Sequence, residues 1–153
     1  MNKRLLLGAV VAFAVIFNLG YLFHEVAAAA FFKASFGPGV QRERYLIPVI
    51  AAAFVLYVTL LGLLYPVFYE FFVERRGWSR VATGALMGLY CGFLWDFLQG
   101  GIIEYATYNV ALPAMLLDSA YHTIEGVIAG TIIGALYRPT AATAAATGTS
   151  RAA

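Results

Sequence analysis

Apolar positions along this chain gather into four long runs separated by short polar or turn-rich joints. A bilayer core about 30 Å thick takes roughly 20 apolar helical residues to cross. The first run, 5–23, is interrupted only by Asn18. The second, 46–72, has Pro48 near its start and Pro66 near its end. The third, 81–103, carries Asp96 and Gln99, and the fourth, 113–137, carries Asp118, His122 and Glu125. The last two are apolar all round yet broken by acids, as expected of helices buried in a bundle and not of lipid-facing anchors. The pattern predicts an all-α, polytopic integral membrane protein: four transmembrane helices in an antiparallel bundle spanning 1–138.

The joints fit that division. Residues 33–45 (KASFGPGVQRERY) hold a Gly-Pro-Gly turn and mixed charges, and 74–80 (ERRGWSR) make a short charged turn. Residues 104–112 carry two tyrosines and no basic residue. Residues 139–153 are small and polar, with too little bulk to bury, and are expected to form a disordered cytoplasmic tail.

Composition sharpens the class. The chain is 62% hydrophobic and 12% charged, with a mean hydropathy of +0.80. A soluble domain runs nearer ~45–50% apolar and ~25% charged. An ordinary cytosolic enzyme and a disordered regulator are thereby excluded. The net charge of +2 leaves no polybasic face for phosphates, so nucleic acid is not an expected partner. The single cysteine, Cys91, excludes an internal disulfide framework and any multi-cysteine metal centre.

Basic residues set the expected orientation in the cell membrane. With four crossings, Lys3, Arg4, Arg75, Arg76, Arg80, Arg138 and Arg151 share one side, against Lys33, Arg42 and Arg44 on the other. Both termini are therefore expected in the cytoplasm. Trp78, Tyr45, Tyr105, Tyr108 and Tyr137 fall at span ends, as an aromatic belt requires. Lys3 and Arg4 followed by an apolar run also resemble a cleaved leader, but the run exceeds the ~7–15 residues of a leader core. The first segment is expected to be retained as a span.

Two glycine triples suggest how the last two helices meet. Gly84, Gly88 and Gly92 repeat every fourth residue, as do Gly126, Gly130 and Gly134. Such stripes let membrane helices approach backbone to backbone. Antiparallel pairing sets Gly84 against Gly134, Gly88 against Gly130 and Gly92 against Gly126. Extended one turn outward, the same register sets Asp96 against His122.

At about 1.5 Å per residue, His122 lies ~24 Å from the level of Arg138, and Asp96 lies equally far from Arg80. His24, Glu25, Asp96, Asp118, His122 and Glu125 thus collect in the outer half, whereas the inner half holds Glu70. Asp118, His122 and Glu125 are spaced i, i+4, i+7 and share one helix face. A charged side chain facing lipid costs at least ~2.5–3.5 kcal/mol, so such a stripe faces protein or a water-filled space. The expected centre is Asp96 with His122, surrounded by Glu125, Asp118, His24 and Glu25.

Several chemistries suit those residues. A proton relay or small-solute path needs only carboxylates and histidine in sequence. A transition-metal site would draw on His122, Glu125, Asp96 and His24. It matches the di-metal bundle pattern only once and in reversed order, at His122-x-x-Glu125. Haem ligation by the two histidines is a further option. Serine or cysteine hydrolysis has little support, since Cys91 sits in an apolar stretch. The purely structural alternative is a buried Asp96–His122 pair that fixes the bundle.

Asn18-Leu19-Gly20-Tyr21-Leu22, then Phe31-Phe32 and Phe36-Gly37, precede a helix Gly84-Ala85-Leu86-Met87-Gly88-Leu89 that leads to Trp95-Asp96; Asp118 follows early in the fourth run. In that order the motifs resemble a bacterial family of small four-helix membrane proteins of unknown function, over residues 5–137. The family has an acid where Asn18 stands, a Thr-Asn after its Tyr-Asp pair, and a Trp-Gly where Ala120-Tyr121-His122 stand. The resemblance implies the four-helix fold, singles out Asp96 and Asp118, and implies no activity. Two functional readings follow: a polar site handling a proton, ion or small molecule from outside, or a non-catalytic accessory subunit. In either case the expected partners are membrane lipids and further copies of the chain, or a larger membrane complex.

Overall fold

The computed structural model describes residues 3–37, 39–40 and 45–139. Among them are five helices: α1 (Lys3–Ala27), α2 (Ala29–Ser35), α3 (Ile47–Glu74), α4 (Arg80–Thr107) and α5 (Leu112–Leu136). Helices α1, α3 and α4, of 25, 28 and 28 residues, are long and apolar enough to cross a membrane. Helix α5 has 25 residues, but Asp118, His122 and Glu125 dilute its apolar character, and it does not join those three. The tail expected to be disordered lies outside the described residues save for Pro139, as do Arg42, Arg44 and Arg151.

Local chemistry explains the boundaries. Gly77 adopts a left-handed φ of 73° and ends α3, with its N–H on the Val73 carbonyl and the Trp78 N–H on the Phe72 carbonyl. The Ser79 side chain accepts from the Ala82 N–H at 3.1 Å and starts α4. Pro48 and Pro113 occupy the first turns of α3 and α5, where no N–H is needed. Helix α2 is an addition to the expected pattern. Its Phe32 is buried with Ala28 and Ala114, so a short apolar stretch that cannot span still finds a core.

Each of these three long apolar helices contains a wide π-helical stretch: Leu22–Ala27 in α1, Tyr69–Glu74 in α3 and Phe93–Gly101 in α4. In α3 it follows Pro66, which lacks the N–H for one rung of the ladder. In α1 and α4 these stretches contain His24 and Asp96.

Both ends of the bundle are tied. At one end the joints before α3 and before α5 meet. Phe36 and Val110 form an isolated antiparallel bridge, the Gly37 N–H donates to the Asn109 carbonyl at 3.0 Å, and the Ala111 N–H donates to the Ser35 carbonyl at 3.1 Å. At the other end Arg80 Nη1 donates to the Tyr137 carbonyl at 2.7 Å, and the Tyr65 hydroxyl donates to the Arg80 carbonyl at 2.8 Å. The main core lies toward this second end. It includes Ile16, Leu61, Tyr65, Met87, Ala129 and Ile133, drawn from all four long helices.

Helices α4 and α5 pack antiparallel along their glycines, each expected pair in close approach but set about half a turn out of direct opposition. Gly84 rests against Gly130 with Gly134 beside it, Gly88 against Gly126, and Gly92 against Thr123. A Cβ on Gly84 would fall onto the Gly130 carbonyl, and one on Gly88 onto the Gly126 carbonyl. The glycines interleave and do not stand opposite one another, because the ridges of one helix settle into the grooves of the other.

Candidate functional site

The polar residues come together where this glycine seam ends. His24 is brought in by the π-helical end of α1, and Asp118, His122 and Glu125 project from one face of α5. His24 Nδ1 is 2.9 Å from the Gly20 carbonyl oxygen. A carbonyl only accepts, so Nδ1 carries the proton and Nε2 points onward. Nε2 lies 2.6 Å from Asp118 Oδ1. His122 repeats the arrangement: Nδ1 is 2.8 Å from Glu125 Oε2, and Nε2 is 3.7 Å from the same Asp118 oxygen. The two imidazoles stack with centroids 5.4 Å apart and planes at 25°, and Phe32 stacks on the far face of His24 at 5.2 Å.

The two histidines and Asp118 are half-buried, with side chains 28–29% exposed, whereas the Glu125 side chain is 3% exposed. Glu125 Oε1 is buried and lacks a hydrogen-bond partner, as does the Tyr57 hydroxyl. The ion pairs these carboxylates form among the described residues are with histidine alone. One ligand atom each from His24, Asp118 and His122 lies within 4.8 Å of the others, and these are the residues best placed to hold a metal ion.

Asp96 is not one of this trio but lies beside it. It makes no direct ion pair with His122; the two line a shared cavity of about 160 Å³ together with Ala53, Phe54, Tyr57, Trp95 and Glu125. The two therefore face a common space without direct pairing, on two physical grounds. The glycine register is offset, and the π-helical stretch from Phe93 breaks the four-residue spacing on which the extrapolation relied. Of the residues expected for a metal, His24 and His122 fall in the trio with Asp118, while Asp96 and Glu125 line the cavity beside it. Glu25 is exposed and is not one of the trio. Partial burial and the Glu25 carboxylate push the Tyr45 phenol above its ordinary value.

Sequence reasoning missed the Gly20 carbonyl, the Phe32 stack and the cavity wall from α3. A detectable signal existed for the first: Gly20 stands four residues before His24, the spacing at which a side chain reaches back along its own helix. No family model, curated protein or solved structure matches the chain.

Proposed function

We propose that this chain is a four-crossing cell-membrane protein with cytoplasmic termini, and that its outer-half polar group takes up a proton, ion or small molecule from the extracytoplasmic side. One observation carries the reading: two imidazole Nε2 atoms from different helices converge on a single Asp118 oxygen. Ionisable groups at membrane depth are costly and by default mark ion or proton paths. The cavity beside them, walled by Asp96, His122 and Glu125, supports this reading over an accessory subunit closed on a solid core.

The fourth crossing is supported by the ties at the bundle ends. The joints preceding α3 and α5 bond to one another, while the start of α4 bonds to the residue after α5. Alternating helix directions place those partners together. The excess of basic residues on the terminal side supports the orientation. Four helices are few for a path across a membrane, so the chain acts as a homo-oligomer or within a larger membrane complex.

Proteoliposomes holding a pH-sensitive dye or a cation indicator test the proposal. Wild type should admit protons or cations, and Asp118→Asn should abolish the flux while leaving the helical content unchanged. Equal flux through wild type and variant would overturn the reading. A carboxy-terminal reporter active only outside the cytoplasm would overturn the orientation.

A further inference from the structure

The trio poses a problem of charge. With Nδ1 of His24 and of His122 engaged as donors, a neutral imidazole offers only a lone pair at Nε2. Asp118, when ionised, also offers only lone pairs. Three acceptors therefore converge, two of them 2.6 Å apart, in a group whose other near carboxylate is the buried Glu125. A proton or a metal ion must lie among them. Glu125 Oε1 adds a second sign: on a side chain 3% exposed, it accepts no hydrogen bond within 3.5 Å, and its neutral neighbour, the equally unpartnered Tyr121 hydroxyl, supplies no charge.

We propose that His24, Asp118 and His122 bind one divalent transition-metal ion, with Glu125 as the residue that positions His122. This rests on the reading of the group as a cation site and names the cation. Metal-bound histidines almost always donate the other ring N–H to a carbonyl or carboxylate, which fixes the tautomer and aims the ligating nitrogen. Both histidines have that anchor here, one on the Gly20 carbonyl and one on Glu125. Two imidazoles and one carboxylate suit zinc, iron(II) or cobalt(II); calcium and magnesium take oxygen ligands. The ion's two positive charges offset Asp118 and Glu125 without help from lysine or arginine. Three protein ligands leave at least one coordination position for water or a substrate. The adjoining cavity, which His122 also lines, gives that position room.

The test uses the full chain in detergent, stripped with a chelator, then titrated with zinc against a fluorescent competitor and with cobalt(II) read by its visible absorption. Wild type should bind one zinc per chain and give a cobalt spectrum of four- or five-coordination. His24→Gln, His122→Gln and Asp118→Asn should each weaken zinc binding by more than about 100-fold. Glu125→Gln should weaken it by about 10–100-fold while keeping one site per chain, as loss of an orienting partner does. Glu25→Gln should leave it unchanged. Helical content by circular dichroism identifies any variant that fails to fold, and the wild-type stoichiometry stands without the variants.

Absence of zinc and cobalt binding by wild type would overturn the inference, as would zinc binding unaffected by His24→Gln. If zinc does not bind but proton flux still depends on Asp118, the shared charge is a proton: the path reading stands and the metal falls. If zinc binds and no flux occurs, the metal stands and the path falls.

Discussion

The two ends of the α4–α5 pair solve the same packing problem in opposite ways. At the Arg80–Tyr137 end, glycines bring the two backbones into contact and the neighbouring side chains close into an apolar core. At the His24–Asp118 end, α4 widens into a π-helical stretch, a cavity opens, and ionisable groups fill the space between helices. Small residues exclude everything but backbone; wide turns make room for chemistry. The close end is the rigid platform from which α5 presents Asp118, His122 and Glu125 along one face.

The strongest way to break this contrast is to put bulk into the close end. Gly88→Val would drive a branched side chain into the Gly126 carbonyl, where only backbone movement makes room. We expect a loss of about 3 kcal/mol or more, read as a lowered thermal midpoint in detergent. Gly62→Ala is the control, because its Cβ would meet only the flexible Leu5 side chain at 3.8 Å. Alanine's better helix propensity should leave that variant neutral or up to about 1 kcal/mol more stable.

A change at the polar end should cost less stability and more function. Asp118→Ala removes the acceptor that both histidines face, leaving half-buried imidazole nitrogens without a partner. The expected cost is about 1–3 kcal/mol by thermal unfolding, with the helices retained by circular dichroism. If Asp118→Ala unfolds the chain as completely as Gly88→Val, the division between a structural end and a chemical end fails.

The smallest effect belongs to the ion pair at the tip of α3. Glu70 and Arg75 meet at 2.6 Å with both side chains more than half exposed. Glu70→Gln should cost no more than about 0.5 kcal/mol in the same unfolding measurement, and less in high salt. A larger loss would mean that the His24–Asp118 group is not the only place where charge matters.

The close end was far more legible in the sequence than the open one. Repeats of glycine at every fourth residue marked which faces of α4 and α5 meet, and hydropathy located the long helices to within a few residues. The offset of that register depends on side-chain ridges along both helices, which spacing alone does not encode. The site was legible as a list and not as an arrangement. Asp118, His122 and Glu125 share a face in any helix. The meeting of His24 with Asp118 needs the π-helical end of α1, whose residues Leu22–Ala27 carry no local mark separating them from an ordinary helix. That Asp96 meets His122 across a cavity and not in a direct pair was hidden for the same reason, since Asp96 follows Phe93, where the turn widens.

These wide turns also bear on how the chain should be aligned with others. A hydrogen bond to the fifth residue back takes up one residue more than the α-helical bond to the fourth. A relative with ordinary turns at 22–27 or 93–101 would keep its downstream face only if it were one residue shorter there; at equal length that face would be rotated by about 100°. A single-residue gap inside a membrane helix is commonly treated as an alignment fault. At these two places it would mark a chain that keeps the same faces without the wide turn, whereas an ungapped chain with ordinary turns would share only the hydropathy.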